Sequence, residues 1–216
     1  MMYYQKTYQI FNIQDQDILN YLNKREKHPL LLEKANKKEI FSRLDELKLK
    51  AQFLLQPKSI YRIFNQSDLP TRECFEEAKK VALVIVTLGK ALPEEVNNLM
   101  ISGKYLDGVI LDAIGSAGVE YLVNIVESEI HKLAEYSKLE CSRRYSPGYC
   151  NWDLRDQKLI FKLLPAHKIE VHLTIGYLMV PIKSISFVIN IAKNIKQTRW
   201  ENRCEYCETI QCDYRI

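Results

Sequence analysis

Val81-Ala-Leu-Val-Ile-Val-Thr-Leu88 is the stretch from which the rest of the fold can be read. It is almost wholly apolar and rich in β-branched residues, with none of the polar alternation of a half-exposed strand, so it predicts a strand covered on both faces. Gly89 ends the run, and Pro93, Glu94 and Glu95 open a short helix with proline and acids in its first turn. Gly103 marks its stop. Beyond it Leu106, Val109, Ile110, Ala113, Ala117, Tyr121, Leu122, Ile125, Val126, Ile130 and Leu133 recur at helical spacing. That pattern predicts one helix of about nine turns, straight or kinked. Gly115 and Gly118 lie inside it, and each interior glycine costs about 1 kcal/mol against alanine. The pair therefore predicts close approach by another element or by a ligand, with tight packing the simpler reading.

Working outward, residues 1–60 are polar and helical in pattern. Asp15–Lys24 gathers Ile18, Leu19, Tyr21 and Leu22 on one face, and Lys37–Leu55 does the same with Ile40, Leu44, Leu47 and Leu54. Pro57 stops the second helix, and Ser59–Phe64 reads as a short strand. Towards the C-terminus Asp153 caps a helix running to Leu164, which Pro165 stops. Val171–Met179 and Ser184–Ile191 read as strands, with Val180-Pro181 as the break. Strands and helices mix without βαβ alternation, so the expected class is α+β: a mixed, largely antiparallel sheet with long helices packed on it. The expected divisions are an N-terminal helical segment (1–64), a central domain (65–200) and a cysteine-rich tail (201–216).

Composition narrows the function. Of 216 residues 47% are apolar, and 31 basic against 27 acidic side chains leave a net charge of +4, too balanced to argue for nucleic acid or an anionic membrane. No apolar run is read as approaching the roughly 18–20 residues of a membrane span, and no signal peptide is read at the N-terminus. The expected setting is cytoplasmic, where the six cysteines are thiols, thiolates or metal ligands before they are disulfides.

Two stretches carry chemistry. The first is Arg143-Arg-Tyr-Ser-Pro-Gly-Tyr-Cys-Asn-Trp152, and the second is Leu173-Thr-Ile-Gly-Tyr-Leu-Met-Val-Pro-Ile-Lys-Ser-Ile-Ser186. Arg144 can clamp a carboxylate with two parallel hydrogen bonds. Pro147 and Gly148 fix a turn and let backbone approach a ligand without a Cβ in the way. Tyr149 then projects an aromatic ring from a rigid loop, and a ring face beside a cation is favourable by about 0.5–2 kcal/mol. An ordinary Pro-Gly turn with a surface arginine is the plain alternative.

Together the two stretches resemble the activation domain of cobalamin-dependent methionine synthase, in its stand-alone form, over residues 105–190. That family carries an Arg-x-x-Pro-Gly-Tyr loop, a following helix, and then Leu-Thr…Met-x-Pro-x-x-Ser-Val-Ser about 25 residues on. The resemblance implies an S-adenosylmethionine site held by Arg144, Ser146, Pro147, Gly148 and Tyr149, with Tyr177, Met179, Pro181 and Ser184 along its other side. Tyr149 would lie nearest the corrin as the catalytic residue. The implied function is a reactivation subunit that supports reductive re-methylation of the cobalamin carried by a partner, the corrinoid-binding subunit of a split methionine synthase. An electron-donating reductase would be a second partner. The corrinoid-binding Asp-x-His-x-x-Gly signature is missing, as is the family's His-Pro-Asp turn, and its N-terminal acidic ligand is not identifiable. A zinc-stabilised interaction module, or an activator or methyltransferase for another corrinoid protein, are the competing functions.

The tail adds Cys204-x2-Cys207-x4-Cys212. That spacing lets soft thiolates share zinc or an iron–sulfur cluster, with Cys150 as a fourth ligand. A redox dithiol at Cys204 and Cys207, or thiols incidental to a frayed end, are the alternatives. The four histidines show no ligand spacing and are expected to be structural.

Overall fold

The computed structural model describes residues 3–9, 13–24, 37–71, 73–75, 78–149 and 152–195. Among them β1 (Tyr4–Thr7), β2 (Lys58–Asn65), β3 (Lys80–Thr87), β4 (Glu140–Cys141) and β7 (Ser184–Ala192) form a five-stranded sheet in the order β1-β2-β3-β7-β4, with every pair antiparallel. Helices α1 (Asp15–Lys24), α2 (Lys37–Leu54), α3 (Ala91–Ile101) and α4 (Tyr105–Tyr136) cover one face. The other face carries α5 (Gln157–Leu163) and the loops around it. A small hairpin pairs β5 (His172–Leu173) with β6 (Met179–Val180). The class is α+β.

Burial on both faces explains why β3 reads as an unbroken apolar run. Ala82, Val84 and Val86 point into the core beneath the four helices, while Val81, Leu83 and Ile85 point into a second core with Tyr145, Trp152, Ile160 and Leu164. β7 divides differently. Phe187, Ile189 and Ile191 join the helical core, but the opposite face carries Ser184, Ser186, Val188 and Asn190, three of them polar and all buried. A buried polar stripe on a central strand is costly unless each group finds a partner.

Helix α4 is continuous over 32 residues. By length and composition it is apolar enough to cross a membrane, which corrects the expectation that no such run exists, but most of it is buried against protein. α1, α2, α3 and three strands supply those neighbours. Its glycines serve packing. A Cβ at Gly115 would stand 2.7 Å from Leu92 Cδ2 and 3.1 Å from Lys183 Cε, and one at Gly118 would stand 3.1 Å from Ile13 and 3.2 Å from Leu88.

Three local expectations shift. Residues 4–7 form an edge strand that the sequence pattern did not signal; Tyr4 stacks on Tyr61 with ring centroids 4.9 Å apart. The segment expected as one strand over Val171–Met179 is two short strands around a turn. There Thr174 Oγ1 accepts from the backbone N–H of Leu178, and Tyr177 holds φ +62°. The Asp153 carboxylate accepts from the N–H of Arg155 as the cap reading requires, but the first turn, Leu154–Asp156, is 3-10. β1 and β2 belong to the same sheet as β3 and β7.

Candidate functional site

Strand β7 is unpaired along part of its outer edge, and the site is built there. β4 pairs with it only at Ile191 and Ala192. Farther along, Val188 exchanges two backbone hydrogen bonds with Tyr145, at 2.9 and 3.1 Å. Tyr145 is anchored twice more: its ring is buried against Trp152, and its hydroxyl donates to the carbonyl of Cys74. The chain then turns away from β7 at Ser146-Pro147, proline having no N–H with which to continue a ladder. Gly148, at φ +92°, donates to the carbonyl of Trp152 at 2.7 Å, with Leu154 directly beneath it. A side chain there would be strained.

The turn leaves a cavity of about 530 Å³ beside the open edge. Its walls are Arg144, Ser146, Pro147, Gly148 and Tyr149 from the loop, Leu154 and Gln157 from the start of α5, and Met179, Ser184, Ile185 and Ser186 from β6 and β7. Glu120 of α4 and Tyr21 of α1 close the remaining side. The volume is within the common range of small-molecule sites, roughly 300–1,000 Å³. A smaller hollow of about 240 Å³ shares Tyr21 and Glu120 as walls and adds Asp17, Asn20 and Asn124.

The charged residues in the wall of this cavity are Arg144 and Glu120. The Arg144 guanidinium donates to Glu120 at 2.9 Å, to Glu127 at 2.5 Å and to the Asn124 side chain at 2.9 Å, all on successive turns of α4. Arg144 is thus fixed by helix α4 rather than extended into solvent. Ser184, Gln157 and Ser186 make an uncharged, polar part of the wall. Ser184 Oγ is satisfied by Thr87 Oγ1 at 2.8 Å and the carbonyl of Pro181 at 2.6 Å. Gln157 Oε1 and Ser186 Oγ have no hydrogen-bond partner, although the two residues are only 6% and 2% exposed. Tyr149, half exposed, stands at the mouth.

The structure therefore gathers seven residues proposed from sequence around one cavity: Arg144, Ser146, Pro147, Gly148, Tyr149, Met179 and Ser184. Two do not line it. Tyr177 lies in the hairpin turn, its ring under the Lys158 ammonium at 4.8 Å, and Pro181 is buried behind Ser184. Glu120, Gln157 and Tyr21 were not among the site residues read from sequence. Gln157 reads as an ordinary early helix residue, and Glu120 as one polar position among many on a long helix. Ser186 had a signal, since it closes the Ser-Ile-Ser of the second motif. Among the described residues no group of three or more His, Cys, Asp or Glu side chains is close enough to hold a metal ion. Cys150, Cys204, Cys207 and Cys212 all lie outside the described residues.

No protein-family model and no curated protein matches the chain. Among solved structures it is similar to a crystal structure of the MetH reactivation domain bound to AdoHcy. The TM-score is 0.67 at 13% sequence identity, over 91% of this chain and 80% of that one. The likeness is one of fold.

Proposed function

We propose that the cavity beside β7 binds S-adenosylmethionine and that the chain acts as a reactivation subunit for a corrinoid-binding methionine synthase partner. The observation that carries this reading is the Arg144–Glu120 ion pair in the wall of the cavity. An α-amino acid brings both charges with it. Inserted between the pair, its carboxylate takes the guanidinium and its ammonium takes the Glu120 carboxylate, so no charge is left buried without a partner. Asn124 and Glu127 keep Arg144 in place while this exchange occurs. The fold likeness to a reactivation domain bound to AdoHcy, and the two motifs converging on one cavity, support the same ligand.

S-adenosylmethionine supplies a methyl group on a sulfonium. The chain's part is to hold the amino-acid end, keep the nucleoside out of water and present the sulfonium at the mouth, where the Tyr149 ring favours a cation. Ile175 and Leu178 of the β5–β6 turn, with Ile182, flank the lining residues Met179 and Ser184 in sequence and are exposed apolar side chains. They form the face offered to a partner that carries the acceptor. Calorimetric titration with S-adenosylmethionine tests the reading. Arg144→Ala weakens binding by about 1.5–3 kcal/mol, the worth of a hydrogen bond to a charged group, while the far-UV spectrum stays that of wild type. Absence of binding heat at millimolar ligand for the wild-type protein contradicts it.

A further inference from the structure

The wall of the cavity carries a second message, in uncharged residues other than the Arg144–Glu120 pair. We infer that Gln157 and Ser186 determine specificity for the base of the ligand, reading the amino edge of an aminopurine and rejecting the oxo edge of its deaminated counterpart; this rests on the nucleoside-binding reading above. Both residues are more than nine-tenths buried, both line the cavity, and each has a side-chain oxygen without a partner in the protein. Buried polar atoms of this kind are uncommon in folded proteins and call for a partner, which in the wall of a cavity a ligand group can supply. Their neighbour Ser184, on the same face of the same strand, is fully engaged by Thr87 and Pro181. Asn190 Oδ1, farther along that face, is also without a partner but does not line the cavity, so among the unpartnered groups of the stripe Ser186 is the one in the cavity wall.

The strand edge adds direction. Val188 and Asn190 turn their backbone groups outward, to Tyr145 and to Ser142. In an antiparallel strand this outward set alternates, so Ser186 turns its N–H and C=O toward the open edge as well. A planar ring lying against that edge meets an adjacent donor and acceptor. It also meets the Gln157 carboxamide oxygen, an acceptor without a partner in the protein, which can take a hydrogen bond from an amino group but not from an oxo group. Adenine, with an exocyclic amino group beside ring nitrogens, fits such a pattern, as glutamine pairing with adenine elsewhere illustrates. Leu154 and Met179, also in the wall, supply apolar surface for the ring faces. The charged pair is already assigned to the amino-acid moiety, which leaves the uncharged residues of the wall for the base.

The test compares S-adenosylhomocysteine with S-inosylhomocysteine, which is nearly identical in size but carries an oxo acceptor and a ring N–H in place of the amino group and ring acceptor. Wild-type protein should prefer the adenosyl form by about tenfold or more, the behaviour of a site built around hydrogen bonds. Gln157→Met and Ser186→Ala should weaken the adenosyl form and leave the inosyl form unchanged or tighter. A merely structural role would weaken both. Equal affinities in the wild type overturn the inference while leaving S-adenosylmethionine binding intact, as does discrimination that survives in both variants. Binding of neither compound by the wild type refutes the reading of the cavity and this assignment with it. The wild-type comparison needs no variant, so a misfolded substitution cannot mask the answer.

Discussion

Lys183→Met breaks a buried ion pair that ties the helical layer to the strand forming the cavity floor. Lys183 Nζ lies 2.8 Å from Asp112 Oδ1 and 2.8 Å from Ser116 Oγ, both on α4, and the two ionic side chains keep only 8% and 10% of their surface exposed. Methionine matches the length of the lysine stem and retains its packing over Gly115, so the change removes charge rather than volume. Asp112 is then left buried without its cation, a loss of about 3–5 kcal/mol. For a domain of this size each kcal/mol lowers the melting midpoint by about 2–4 °C, so the drop should be about 6–20 °C. Urea unfolding followed by circular dichroism gives the free energy directly. Pairing Lys183→Met with Asp112→Leu removes both charges and should restore most of the loss, because the cost comes from the orphaned carboxylate. Since Lys183 immediately precedes Ser184, the single variant should also weaken nucleoside binding more than the double one. A Lys183→Met protein within about 1 kcal/mol of wild type would refute the claim that the pair is desolvated and coupled.

Two further outcomes follow from the packing. Gly115→Ala should destabilise by about 1–3 kcal/mol through overpacking against Leu92 and Lys183, although alanine favours an exposed helix position by about 1 kcal/mol; thermal melts decide the sign. Burial, with added repulsion from Glu127 and Glu135, pushes the Cys141 thiol from its ordinary 9.0 up to about 12. A raised thiol pKa favours the neutral form, so its contribution to stability is complete below about pH 9 and is lost as pH climbs towards 12. Cys141 should accordingly resist iodoacetamide at pH 8.5 in the folded protein and react once urea is added, as peptide mass spectrometry can show.

The elements legible from sequence were those with one dominant signal. The 3.6-residue period of Leu106–Leu133 gave a single long helix, and the apolar run at Val81 gave a central strand because both of its faces are buried. β1 was not legible: its residues are exposed and hold their place by pairing with β2, which no local pattern announces. Val171–Met179 misled because its apolar residues are split by a tight turn that presents Ile175 and Leu178 to solvent. The loop half of the cavity was legible, since Arg144, Pro147, Gly148 and Tyr149 lie within six residues. Met179 and Ser184 were legible from the second motif, whereas Glu120 and Gln157 were not, because they reach the cavity only through the way α4 and α5 flank β7. Tyr177 was assigned by its position within a motif, yet the hairpin turn carries its ring to Lys158 instead.

The most direct test of the account is a crystal structure of the protein grown with S-adenosylhomocysteine. The account predicts the ligand in the cavity beside β7, its carboxylate on Arg144, its ammonium on Glu120 and its base against Gln157 and Ser186. A ligand in the neighbouring hollow between α1 and α4, or one with its base against Arg144, would contradict it.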